Sequence, residues 1–191
     1  VLDRLIALAD KSLLVPVDTQ PPRYRMLETI REFSVERLAA RGDLPAVRAA
    51  YVRYYVGLAE WAEPRLRNHE QLETMRVLND ERENLLGAVR FAIDAEDADA
   101  AIRLSASLAW YWTLLGHHEE ASSVIGQALA VPGDSPAEPY LIALVTWTIN
   151  AAATGHGMPS EDDLHRMTAL AEKLDPLTSH PLVAIIKPAM G

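Results

Sequence analysis

Residues 23–33 read RYRMLETIREF, and the order of elements around this stretch decides the fold of the first part of the chain. Tyr24–Leu27 is extended in character and passes into a helical pattern with no turn signal between. Arg23 and Arg25 belong to the extended run, and Arg31 follows one helical turn later. Upstream, Leu13–Val17 is a second short extended run, with Pro16 marking an edge strand or a strand end. Asp18–Pro22 is turn-like. Ahead of both, Val1, Leu2, Leu5, Ile6, Leu8 and Ala9 repeat at helical spacing, and Asp10-Lys11-Ser12 ends that helix. Thr29 is predicted to cap the following helix, which runs to about Ala40 with Ile30, Phe33 and Leu38 inward and stops at Arg41-Gly42-Asp43. Helix, strand, loop, strand and helix in this order predict a small winged-helix domain with a short β-hairpin over residues 1–43.

The rest reads as helix throughout. Pro45 suits an early position of a long helix, where its missing N–H costs nothing. The predicted apolar stripe of that helix is Val47, Tyr51, Tyr54 or Tyr55, Leu58, Trp61 and Ala62, with Pro64 near its end. Glu70–Ala95 is predicted as one further long helix, with Leu72, Met75, Leu78, Leu85, Val89 and Ile93 inward and Asp80-Glu81-Arg82-Glu83 on its wet side. Residues 44–97 thus form long connecting helices. Beyond them, helices are predicted at roughly 98–115, 117–131, 137–154 and 160–174, with another starting near 181. Residues 98–131 span 34 positions, the period of a tetratricopeptide unit. Leu108, Ala109 and Trp112 fill its first-helix packing positions, Gly116 its turn, and Ala121, Ile125 and Ala128 its second helix. Ser105 departs from the pattern, standing where a tryptophan is usual. Residues 137–176 read as a second, degenerate pair, in which Ala152, Ala171 and Pro176 fall in place. The predicted fold class is therefore mainly α: a winged helix followed by an all-α, tetratricopeptide-like solenoid over residues 98–191.

Composition narrows the functional classes. The chain has 191 residues, 49% of them hydrophobic and 24% charged, which suits a packed soluble domain rather than a disordered tail. No apolar run approaches the roughly 20 residues needed to cross a bilayer, so no membrane role is expected. No basic-then-apolar leader opens the chain, and cysteine is absent; both fit a cytoplasmic setting. Charge is uneven: residues 1–56 hold nine Arg/Lys and seven Asp/Glu, leaving nine and twenty for residues 57–191 out of totals of 18 and 27. A net of +2 is thus followed by a net of −11, which repels phosphate backbones. The chain opens on Val1 without an initiator methionine and reads as an internal piece of a longer protein.

Signals for chemistry are sparse. There is no phosphate loop, dinucleotide fingerprint or nucleophile elbow. His117-His118-Glu119-Glu120 invites a metal reading, but neighbours on a helix point about 100° apart and do not converge on one ion. These four sit at an inter-helix turn, where polar residues are the default. His69 and Glu73, four apart, read as a surface pair. His156 and His165 have no evident partner, and Asp162-Asp163 complement a helix dipole. No catalytic or metal-binding residue is therefore assigned, and the chain is not expected to be an enzyme. Trp110 and Trp112 flank Tyr111. With Trp112 inward, Trp110 faces either the preceding helix or a groove, which makes it a candidate contact for a protein or peptide on the helical repeats.

The runs LDRLIALADKSLL, YRMLETIREFSVERLAARGD, YYVGLAEWAEPRL and LNDERENLLGAVRFA together resemble large actinobacterial regulators built on signal-transduction ATPases (the STAND/NB-ARC class), of the AfsR-like and LuxR-type kinds. The resemblance covers about residues 1–131. It implies an ATP/ADP-binding core upstream, a winged helix that closes over the nucleotide, helical repeats that receive a signal, and an output domain elsewhere. By that resemblance, Met26-Leu27-Glu28 stands where related ATPases carry a Met-His-Asp triplet whose histidine contacts the ADP phosphates. Leu27 has no donor, so the position is degenerate; Glu28 keeps a carboxylate, and Arg25 or Arg31 could compensate. The expectation is a non-catalytic regulatory and interaction fragment that holds no cofactor itself and has the upstream ATPase domain as a partner. Direct contact with nucleic acid is not expected. The alternative is a DNA-binding winged helix, favoured by the local +2 and by the arginines at 23, 25 and 31.

Overall fold

The computed structural model describes residues 2–17, 22–155, 159–175 and 180–183. The chain divides into two compact units, residues 1–47 and 48–191. The boundary thus falls within the helix that follows Asp43, and residues 48–97 share a unit with the later helices.

The first unit contains α1 (Leu2–Asp10), β1 (Leu14–Val17), β2 (Arg23–Met26) and α2 (Glu28–Ala40). The strands form an antiparallel hairpin in which Leu14 faces Met26, Val15 faces Arg25 and Val17 faces Arg23. Pro16 sits in this two-stranded sheet opposite Tyr24, as an edge position permits. α2 begins one residue before the expected cap. Leu27 is extended (φ −63°, ψ 145°), its carbonyl accepts the Arg31 N–H at 2.9 Å, and Thr29 lies inside the first turn. Phe33, expected inward, is 58% exposed. Among the described residues of this unit Leu14 alone is buried, too little for a core of its own.

The second unit is helical. α3 (Leu44–Ala62) enters it and runs into a short 3-10 turn at Glu63–Arg67 that carries Pro64. The stripe that α3 buries is Val52, Tyr55, Val56, Ala59 and Ala62, one face of the helix. Val47 and Trp61, placed inward by the sequence pattern, are exposed, and of the alternatives Tyr54 and Tyr55 it is Tyr55 that is buried. The predicted helix at 70–95 is two helices, α4 (Gln71–Asp80) and α5 (Arg82–Asp94), broken at Glu81 (φ −99°, ψ 2°). The Glu81 carboxylate takes hydrogen bonds from Asn84 Nδ2 at 2.6 Å and the Tyr55 hydroxyl at 3.0 Å, so one nearby side chain and one 26 residues away meet at the break. Of the residues expected inward on this stretch, Leu72 is 75% exposed while Leu78 and Leu85 are buried.

α6 (Ala98–Leu115) is the central helix: twelve of its 18 residues are buried, and it packs against α5, α7 and α8. Ala98, Ala100, Ala101, Ala106 and Ala109 keep it slim enough for neighbours on several sides. Asp97 caps it, its side chain accepting the Ala100 N–H. Gly116 (φ 67°) ends it in a left-handed turn, and the two-residue connection folds α7 (His118–Leu129) back along it. Ala121, Ile125 and Ala128 of α7 are wholly buried, at the positions the 34-residue period assigns them. α8 (Ala137–Thr154) packs on α6 and α7, and α9 (Glu161–Lys173) packs on α8. Ser160 and Asp163 close a reciprocal capping box at the start of α9. In this later pair Ala171 is buried but Ala152 is exposed, so Ala152 does not serve as a packing position; Pro176, like His156, lies outside the described residues. Among the described residues no helix is long and apolar enough to cross a membrane.

Candidate functional site

Three places gather the residues singled out above. The first is the junction of β2 and α2. Met26 closes the hairpin, and its sulfur faces the Ser34 hydroxyl at 3.9 Å. Leu27 follows, 52% exposed, and offers only its side-chain carbons. Glu28 and Arg31 form an exposed ion pair one turn apart, with Arg31 Nε donating to Glu28 Oε2 at 3.0 Å. The hydrogen bond from Arg31 holds the Glu28 carboxyl below its ordinary range, and the same contact raises the guanidinium. Arg31 is thus engaged by a local carboxylate. Arg25 is exposed on the hairpin.

The second is the polar turn that opens α7. His118 Nδ1 lies 2.8 Å from Asn150 Oδ1 on α8, and Glu120 accepts the buried Trp112 Nε1–H at 3.2 Å. Glu120 also binds the Arg82 guanidinium from α5. Tyr111 donates to Asn79 Oδ1 at 2.8 Å, and burial pushes its hydroxyl pKa up. His118 and Glu120 therefore reach in different directions and knot α5, α6, α7 and α8 together. Among the described residues no three His, Asp or Glu side chains gather as a metal set would.

The third is a groove between the 3-10 turn, α6 and α8. Trp110 lines its enclosed end, a cavity of about 70 Å³ with Ala106, Thr146, Ile149 and Leu182. The Trp110 Nε1 is buried and has no hydrogen-bond partner among the described residues. The open end, about 490 Å³, is lined by Glu60, Glu63, Arg67, Ser107 and Glu138. Glu63 grips Arg67 in a two-pronged pair, 2.8 Å at each prong, and accepts from His180 Nε2 at 2.7 Å. Burial opposes ionisation of Glu63, yet the bonds from His180 and Arg67 outweigh it and hold the carboxyl below its ordinary pKa. Trp110 and the arginines of the hairpin belong to different units. The sequence pattern gave no hint of Glu63, Glu138 or His180: nothing local marks two glutamates and a histidine so far apart as neighbours.

The chain is 35% identical over 124 residues to "Putative HTH-type transcriptional regulator Rv0890c" of Mycobacterium tuberculosis H37Rv, and equally to the corresponding proteins of M. tuberculosis CDC 1551 and Mycobacterium bovis. The match takes in 64% of this chain and 14% of each of those proteins, so the chain spans about a seventh of the length of the curated relatives it matches. No protein-family model matches the chain, and no solved structure does. The likeness to transcriptional regulators supports a regulatory role. The helix-turn-helix of their description belongs to the whole proteins, and nothing assigns it to the matched residues.

Proposed function

We propose that this chain is a non-catalytic, regulatory and protein-interaction part of a nucleotide-switched transcriptional regulator, with a winged helix that docks on an upstream ATPase core and tetratricopeptide-like helices that receive a protein or peptide signal. The observation that carries this reading is the apolar surface of the first unit. Leu2, Ile6, Leu27 and Phe33 are each at least 45% exposed while, among the described residues of the unit, only Leu14 is buried, the balance of a module whose core is completed by another domain. The similarity to much longer regulators supplies the context for such a domain. ATP or ADP would belong to the upstream core, and Leu27 would meet it without a hydrogen bond.

Isothermal titration calorimetry tests the division of labour. The chain alone is expected to give no heat with ATP or ADP, and a protein extended N-terminally through the core is expected to bind. Nucleotide binding by the chain itself would refute the assignment.

The second reading, direct DNA binding, is favoured by the description of the relatives. Against it, α1 carries Asp3 and Asp10 with Arg4, and α2 carries Glu28, Glu32 and Glu36 with Arg31 and Arg37, so neither helix is basic. A salt-dependent gel shift with this chain decides between them, and no shift is expected.

A further inference from the structure

The groove beside Trp110 already holds a piece of the chain. Residues 180–183 read His-Pro-Leu-Val and lie across it, turned once by a Val183 N–H to His180 carbonyl bond of 2.8 Å. The His180 backbone N–H donates to the Glu138 carboxylate. The Leu182 N–H donates to His180 Nδ1 at 3.1 Å, which leaves the ring proton on Nε2, aimed at Glu63. Leu182 lines the enclosed cavity, and Val183 is wholly buried among Leu141, Leu144 and Met167. Two carboxylates thus read a main-chain donor and a side-chain donor, and an apolar chamber reads the residue two positions on.

The fit is incomplete. The chamber keeps about 70 Å³ of empty space beside Leu182, and the buried Trp110 indole N–H finds no acceptor there. A buried donor without a partner costs free energy that a better occupant would recover. We infer that the groove is a docking site for a peptide segment of a partner protein, a basic or histidine donor followed two residues later by a large apolar side chain, and that His180–Val183 occupies it in cis as a displaceable mimic. The occupant is an N–H donor because Glu63 and Glu138, which accept the two donors of the cis segment, line the open end, where Arg67 and Arg103 already balance Glu63 and Glu60. It is larger than leucine because the chamber is not filled, and it brings an acceptor to Trp110. This deepens the regulatory reading above and rests on it for its biological meaning.

The test uses two fluorescein-labelled peptides, Ser-His-Pro-Leu-Val-Ala (the chain's own sequence) and a version with phenylalanine in place of leucine, titrated by fluorescence anisotropy. A chain carrying His180→Ala and Leu182→Ser, with its cis contacts weakened, is expected to bind both, the phenylalanine peptide more tightly. The unmodified chain should bind about tenfold more weakly, since the cis segment competes, and Glu63→Ala in the opened chain should cost about tenfold, the worth of one bond to a charged group. If the double variant loses helical circular dichroism, His180→Ala alone replaces it with the same readings. Absence of saturable binding to a folded, opened chain would overturn the proposal, as would binding indifferent to Glu63→Ala. Dimerisation of the opened chain by light scattering, with no peptide bound, would assign the groove to a second copy and overturn it likewise. No nucleotide or DNA is present, so failure here leaves the regulatory reading intact.

Discussion

Replacing Glu120 by alanine tests whether the polar turn at the start of α7 is a surface ornament or a knot in the core. Its carboxylate serves two donors: the Arg82 guanidinium from α5 and the indole N–H of Trp112, a residue 1% exposed. The Arg82 and Glu120 side chains are 32% and 26% exposed, so solvent screens the pair and the low end of the scale applies. A hydrogen bond to a charged group contributes about 1.5 kcal/mol there, and a buried indole N–H left without an acceptor costs about 1 kcal/mol more. Glu120→Ala should therefore destabilise the second unit by about 2.5 kcal/mol. The assay is urea unfolding followed by tryptophan fluorescence. All four tryptophans, at 61, 110, 112 and 147, lie in the second unit, so the signal reports that unit. The exposed neighbour Glu119 is the control, and its alanine variant should stay within about 0.5 kcal/mol of the parent. An Arg82→Ala, Glu120→Ala double-mutant cycle separates the ion pair from the indole bond. Equal effects of the Glu119 and Glu120 substitutions, or a Glu120→Ala loss under about 0.5 kcal/mol, would refute the reasoning.

Other perturbations have equally definite signs. Ser105 is wholly buried with a hydroxyl that has no partner among the described residues, so Ser105→Ala should leave stability unchanged or raise it by about 1 kcal/mol in the same unfolding assay. Gly116 and Glu96 both end helices in the left-handed region (φ 67° and 54°), and their substitutions should move stability in opposite directions. Gly116→Ala should cost about 1 kcal/mol and Glu96→Gly should gain several tenths, read as midpoint shifts in thermal unfolding. The Glu63 carboxyl has a pKa below its ordinary value of 4.5, so its ionisation stabilises the fold above that pH, and the contribution is lost as pH falls through the folded value. Glu63→Gln should therefore flatten the stability profile below about pH 4.5, and an unchanged acid limb would count against the pairing with Arg67 and His180.

The parts of this fold that were legible in the sequence are those that local rules determine. Gly116, inside the 34-residue stretch 98–131, marked the α6–α7 turn, because a left-handed backbone asks for glycine there and the small residues Ala121 and Ala128 ask for a close neighbour. The hairpin was legible from its extended runs, with Pro16 at an edge. The break at Glu81 was not, since neither glycine nor proline marks it; it is made by Tyr55, 26 residues away, and by Asn84. Leu72 and Phe33 also defeated the periodic reading: both are exposed, and among the described residues none of α2 is buried. Of the candidate site, Trp110 was legible as an aromatic in excess of what its helix needs for packing. Glu63 and His180 were not, because their pairing spans 117 residues and no local pattern marks it.

That span has a kinetic consequence. The helices of the second unit mostly meet their chain neighbours, α5 with α6, α6 with α7, α7 with α8 and α8 with α9, so each pair can form with little loop to close. The His180–Glu63 bond instead closes a loop of more than a hundred residues, an entropic step that only a nearly complete array can reward. It is expected to form late in folding and to yield early in local opening. In a hydrogen-exchange experiment the His180 and Leu182 amides would therefore exchange in a faster class than those of α6. The part of the unit that assembles latest is the part that lies over its groove.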